Sequence, residues 1–324
     1  MGYWEVSADT LARGRFTVSA LAETLAAMIL LTDGRPAHPG ERAWLDEHRP
    51  AYRRRLADDP VLGLLVRAAS ATHWIPDFLT PAPPAAETTF DDELAVIRDT
   101  PPAAAQADLA VALGGPPPAA LDRPDLPVRA AELVEWVWRE TVQPTWPRRR
   151  RIIEADIVSR TERLSRGGWA AALTDLRPGM HWLGDGRLQI NAHNYPPRRL
   201  DGAELLFVPV VPDRAWVAWR LPDRYALIYP CSGQLLSERR APAALARLLG
   251  AGRANVLVLL DSPRTTTQLV ALTGQGLGSV GRHLQVLLDA RLVRRRRSGR
   301  SVLYWRTATG DALVADQDSG HSGQ

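Results

Sequence analysis

Apolar positions recur at helical spacing through the first half of the chain. Leu21-Ala22-Glu23-Thr24-Leu25-Ala26-Ala27-Met28 and the stretch 129–142 each place them three or four apart. A third helical pattern runs from Arg148-Arg149-Arg150-Arg151 through Ile152, Ile153, Ile157 and Leu164 to Gly167-Gly168. Breakers separate these segments: Pro81, Pro83 and Pro84 form one cluster, and Gly114-Gly115-Pro116-Pro117-Pro118 another. From about residue 180 the period shortens to that of strands. Residues 182–190 read as a hairpin turned by Asp185-Gly186, and 205–211, 215–220 and 225–229 as three further strands. The expectation for 1–240 is an α+β domain of helices and antiparallel strands.

After Ala243 the pattern changes again. Short helices are predicted over 243–249 and 254–260, Ser262-Pro263 breaks the chain, and Thr266 caps a third helix over 267–273. Gly274-Gln275-Gly276 makes a tight turn into a fourth helix over 277–290. Leu292-Val293 and Val302-Leu303-Tyr304-Trp305 then flank Arg294-Arg295-Arg296-Arg297-Ser298-Gly299-Arg300, a two-stranded ribbon with a basic tip. Helix, helix, turn, helix and ribbon is the layout of a winged helix-turn-helix, predicted over 241–310. Residues 311–324 are expected to be a disordered polar tail.

Composition sharpens this division. All 40 basic residues are arginine, and the chain of 324 residues contains no lysine. Residues 1–242 hold 29 Arg against 31 Asp plus Glu, whereas 243–310 hold 11 Arg against only Asp261 and Asp289. A basic module attached to a near-neutral body points to a polyanionic partner. On the fourth helix, Val280, Leu284, Leu287 and Leu288 form an anchoring stripe. Thr267 and Gln268 of the third helix, with Gly278, Ser279, Gly281, Arg282, His283 and Gln285 of the fourth, are then the candidate base-reading set. Arg294, Arg295, Arg296, Arg297, Arg300 and Tyr304 are the candidate wing set, suited to phosphates or the minor groove. The bland alternative is a solvated charged surface, but five arginines around one ribbon without an acidic neighbour are costly unless something neutralises them. Gly276-Leu277-Gly278-Ser279-Val280-Gly281 also satisfies the dinucleotide fingerprint, yet a helix precedes it and arginines stand where the ribose-binding acid belongs.

Residues 248–307 resemble the ArsR-type winged-helix transcriptional regulators. The resemblance rests on Ser279-Val280-Gly281-Arg282-His283-Leu284-Gln285-Val286-Leu287, Ala290-Arg291-Leu292-Val293 and Gly299-Arg300-Ser301-Val302-Leu303-Tyr304. It implies a DNA-binding transcriptional regulator that reads an inverted-repeat operator in double-stranded DNA as a homodimer. The third helix, Thr267-Gln268-Leu269-Val270-Ala271-Leu272, has neither Cys nor His, so the thiolate metal site of the founding sensors is not carried over. Asp9-Thr10-Leu11-Ala12-Arg13-Gly14-Arg15-Phe16, Ile75-Pro76-Asp77-Phe78-Leu79-Thr80-Pro81 and Leu206-Phe207-Val208-Pro209 with Tyr229-Pro230 resemble a long N-terminal domain. That domain accompanies such modules in regulators of high-GC Gram-positive bacteria.

The body offers weaker candidates. No paired carboxylates, triad or metal motif presents itself, so an enzyme is not expected and no cofactor or metal is implied. His181, Asp185 and His193 match no metal spacing and read as surface residues. The single Cys231 excludes an internal disulfide; it reads as a core thiol, with redox sensing as the alternative. Trp136, Trp138, Trp146, Trp169, Trp182, Trp216 and Trp219 are split between core and the wall of a small-molecule effector pocket. Arg148 to Arg151 read as a solvated helix start or an intramolecular ion-pair face rather than a DNA contact. The helix over 129–142, with Leu133, Trp136, Val137 and Glu140, is a candidate dimer face, its alternative being a core helix. The start lacks the pattern of a secretory signal, and the longest apolar run, 25–31, is about a third of the roughly 20 residues a bilayer needs, so a cytoplasmic protein without membrane contact is expected. The competing function is an architectural or protein-partner-binding protein with non-specific DNA affinity.

Overall fold

The structure, a computed structural model, describes residues 2–318 except 38, 73, 85–87, 175, 178, 194, 232–240, 261–262 and 299–300. The chain is mixed α+β and divides into two compact units, one comprising 1–153 and 157–231 and the other 154–156 and the chain beyond Cys231. The expected boundary at 240/241 falls beside the undescribed segment 232–240.

The first unit carries helices α1 (Ala8–Ala12), α2 (Ala20–Asp33), α3 (Pro39–Asp58), α4 (Pro60–Ala69), α5 (Phe90–Arg98), α6 (Pro102–Leu113), α7 (Leu126–Val137) and α8 (Trp146–Ala172). Its strands are β1 (Gly2–Glu5), β2 (Arg15–Phe16), β3 (His181–Gly184), β4 (Arg187–Asn191), β5 (Arg198–Arg199), β6 (Glu204–Val210), β7 (Trp216–Arg220) and β8 (Arg224–Pro230). Among the described residues two four-stranded sheets form, in the orders β3-β4-β1-β5 and β2-β6-β8-β7. Along β6 and β8 successive side chains alternate faces. Leu206, Val208, Val210, Ala226 and Ile228 join the core with the helices, while Leu205, Phe207, Tyr225, Leu227 and Tyr229 join Trp4, Leu188 and Ile190 of the other sheet. The result is three layers: helices, sheet, sheet.

That layering corrects one expectation. The strands over 205–211 and 225–229 are not antiparallel: β6 and β8 pair in parallel from Glu204↔Arg224 to Val210↔Pro230, and β2 pairs with β6 in parallel. Only β7 is antiparallel to β8 in that sheet. Strands covered on both faces read as unbroken apolar runs, the signature of buried parallel pairing. The predicted Asp185-Gly186 hairpin is present as antiparallel β3 and β4, with both turn residues at positive φ.

Helix α2 occupies the centre of the helical layer. Ser19 caps it by accepting from Ala22 N–H at 2.9 Å, and Gly34 closes it in the left-handed conformation. Its ten buried residues wrap all round rather than along one stripe, as a core helix requires. Glu23, fully buried on α2, accepts from Arg149 Nη1 at 2.5 Å and from Val211 N–H at 2.7 Å. Arg149 also lies 5.4 Å over the Trp44 ring. The four-arginine run is therefore not uniformly solvated, because its second member is an internal ion-pair partner.

The segment 129–142 splits into α7 and a single π turn, Trp138–Val142. Leu133 and Val137 are buried in the core and Trp136 stacks on Tyr52, so this segment is a core element and not the dimer face considered above. Helix α8 is broken at Gly167 and Gly168, whose φ of −140° and +66° turn the chain back, and buried Arg160 donates to Ala172 O at 2.8 Å across the bend. No helix among the described residues is long and apolar enough to cross a membrane.

The second unit contains α9 (Ala243–Leu249), α10 (Ala251–Leu259), β9 (Arg264–Thr265), α11 (Thr266–Thr273), α12 (Leu277–Asp289), β10 (Val293–Ser298), β11 (Ser301–Arg306) and α13 (Ala308–Asp318). Its sheet is antiparallel, in the order β10-β11-β9. Thr265, not Thr266, caps α11, in a reciprocal box with Gln268. The expected disordered tail over 311–324 is corrected for 311–318, which are helical: Val314 is buried in this unit's core, and Arg306 pairs with Asp311 at 2.7 Å. Residues 319–324 lie outside the described residues.

Candidate nucleic-acid interface

Helix α12 is positioned by Val280, Leu284 and Leu287, which bury against α10 and α11 in a core with Val256, Leu257 and Leu269. The turn before it is set by Gly274 in the left-handed conformation. This leaves Gly278, Gly281, Arg282 and Gln285 exposed on one face. Arg282 Nη2 donates to Ser279 Oγ at 3.3 Å, and Gln285 Nε2 donates to Asp289 Oδ1 at 2.8 Å. Two apolar side chains of α12 that sequence reasoning missed are also exposed, Leu277 at 64% and Val286 at 43%. Val286 carried a signal, since it falls outside the Val280, Leu284, Leu287 stripe, whereas Leu277 continues the spacing of that stripe and is exposed at the first position of the helix.

Three of the predicted side chains are not free to read bases. His283 is half-buried and turned inward: a Cβ on Gly252 of α10 would lie 2.6 Å from its Nε2, so the ring rests on that glycine. Burial, aided by Arg253 and Arg282, pulls its pKa below the ordinary imidazole value. Gln268 is half-buried, and its Oε1 accepts from Thr265 N–H at 2.8 Å, whereas Thr267 is exposed. Tyr304, expected on the wing, is 9% exposed and belongs to the core. Ser279 is half-buried at the edge of the α12 face.

The ribbon of β10 and β11 presents Arg294, Arg295, Arg296 and Arg297 to solvent. Register places them opposite Trp305, Tyr304, Leu303 and Val302 in turn. Strand alternation therefore puts Arg294 and Arg296 on one face, and Arg295 and Arg297 on the face shared with Tyr304. No Asp or Glu stands on either strand. Arg300 lies outside the described residues.

Gly278 and Gly281 have no internal justification. A Cβ at either would meet open space, and neither has a positive φ. Each weakens an exposed helix by up to about 1 kcal/mol relative to Ala. Gly278→Ala and Gly281→Ala are each expected to stabilise the chain by about that amount in urea unfolding. If the bare helix surface serves close approach of a partner's backbone, the same substitutions weaken duplex binding; a gain in stability with unchanged binding would assign the glycines to drift.

In the first unit, Trp216 and Trp219 line a cavity of about 700 Å³ together with Trp4 and Trp74. The other five tryptophans of the expected pocket pack elsewhere: Trp136 on Tyr52, Trp138 on Phe90, Trp146 edge-on to Trp138, Trp169 on Phe207, and Trp182 against the two-sheet core. Cys231 is buried at the end of β8. No three His, Cys, Asp or Glu side chains among the described residues converge to hold a metal; His181 and Asp185 are exposed on the hairpin, and His193 is half-buried. No family model matches the chain, and neither does any curated protein or solved structure.

Proposed function

We propose that the C-terminal unit is a winged helix-turn-helix of the ArsR type and that the protein is a sequence-specific, cytoplasmic transcriptional regulator acting as a homodimer on double-stranded DNA. The observation that carries this is the pairing of two surfaces in one unit. Four consecutive exposed arginines stand on a ribbon without an acidic residue, and that ribbon follows a helix whose free face carries Gly278, Gly281, Arg282 and Gln285. Arginines of the ribbon meet phosphates, which hold register without reading sequence. Arg282 and Gln285 have the donor and acceptor groups that distinguish base edges in the major groove, and Val286, one turn on from Arg282, suits a thymine methyl. One such helix covers too few base pairs to single out a site, so two copies on half-sites roughly one helical turn apart are required.

Selection of bound duplexes from a random pool by the full chain tests this reading. A two-half-site sequence is expected to be enriched, and Arg282→Ala is expected to cost about 1–3 kcal/mol on that duplex and far less on a scrambled one. The competing reading, an architectural protein, draws on the shortness of the base-reading set beside four ribbon arginines. It predicts no enriched sequence and equal losses on both duplexes.

A further inference from the structure

The cavity in the first unit has walls of one chemistry and an unmet need of another. Trp74 meets Trp219 edge-on at 5.4 Å and Tyr195 at 5.5 Å, so the aromatic wall is continuous. Trp4 completes it and is fixed from behind by an edge contact with Tyr225 at 5.5 Å. Strand β5 runs parallel to β1 with Arg198 in register with Trp4. Alternation sends Arg199 outward to Asp201, at 2.9 Å, and Arg198 to the cavity side. The Arg198 guanidinium lies 4.5 Å over the Trp219 ring and 5.9 Å from that of Tyr225. Its Nη1 is shielded from solvent and meets no acceptor among the described residues.

Asp77 does not meet that need. Its Oδ2 accepts from Trp219 Nε1 at 2.8 Å, and no hydrogen bond or ion pair joins it to Arg198 among the described residues. Burial pushes the Asp77 carboxyl up to about 6, with Asp108 adding to the rise and Arg198 opposing it. The exposed Arg177 also lines the cavity, so cations outnumber carboxylates there. A cationic guest is disfavoured because the protein's own guanidinium already occupies the faces of Trp219 and Tyr225. An orphaned, shielded guanidinium donor calls for an anionic oxygen, and indole walls call for a flat apolar body. At about 700 Å³ the cavity is the size of ordinary small-molecule sites.

We propose that this cavity binds a flat aromatic carboxylate, its rings against Trp74 and its carboxylate on Arg198. Calorimetry on the full chain with benzoate, 2-naphthoate and anthracene-2-carboxylate, each beside its neutral carboxamide, tests it. Saturable one-to-one binding of at least one acid is expected, with its amide at least tenfold weaker, and Arg198→Gln removes that preference. The proposal is overturned if no acid saturates by millimolar concentration, or if acid and amide bind alike. The acid-to-amide ratio is measured on the unaltered chain, so a misfolded variant does not blunt the test. Because no DNA is present, failure here leaves the regulator reading untouched, and success does not depend on it.

Discussion

Replacing Arg294, Arg295, Arg296 and Arg297 together by Gln is expected to weaken binding to every duplex alike and to flatten its salt dependence. Each phosphate no longer neutralised lowers the slope of log affinity against log salt by up to about 0.9, and four together cost on the order of a hundredfold or more in affinity at low salt. The folded state is expected to change little, because all four side chains are exposed on the ribbon. Anisotropy titrations over a range of salt concentrations check this, and an unchanged slope would mean that the ribbon faces away from DNA. Strand alternation adds a finer comparison. Arg294 and Arg296 share one face, Arg295 and Arg297 the other, so the two double variants report which face lies along the phosphates.

Removing the cation from the buried pair in the first unit is expected to have the largest effect on stability. Arg149→Met leaves the Glu23 carboxylate fully buried with only the Val211 N–H as a partner among the described residues. Stranding one member of a buried pair typically costs about 3–5 kcal/mol. Glu23→Gln combined with Arg149→Met keeps an acceptor for Val211 and removes both charges, so it is expected to recover a large part of that loss. Urea unfolding of the two variants measures both quantities. A loss below about 1 kcal/mol for Arg149→Met would show the pair to be solvated, with the modest worth of a surface bridge.

Much of the local structure is legible in the linear chain. The helical periods of α2, α8 and α12, the Asp185-Gly186 hairpin and the arginine ribbon all depend on residues a few positions apart. Their signals are spacing, caps and turn residues that tolerate positive φ, and such signals act locally. The separation of charge between the body and the C-terminal unit is likewise a property of the linear chain.

Features set by distant partners are not legible in this way. Which of four successive arginines turns inward depends on the phase of α8 against a carboxylate 126 positions away. Parallel pairing of β6 and β8 depends on a second sheet and a helical layer covering both of their faces. His283 and Tyr304 have side chains suited to DNA, but Gly252 leaves room that the imidazole fills, and strand alternation turns the phenol into the core. The cavity is assembled from Trp4, Trp74 and Trp219, and no window along the chain contains all three. Sequence periodicity specifies which face of an element is apolar; which partner that face meets, and which polar groups the contact strands or satisfies, is settled when the elements assemble.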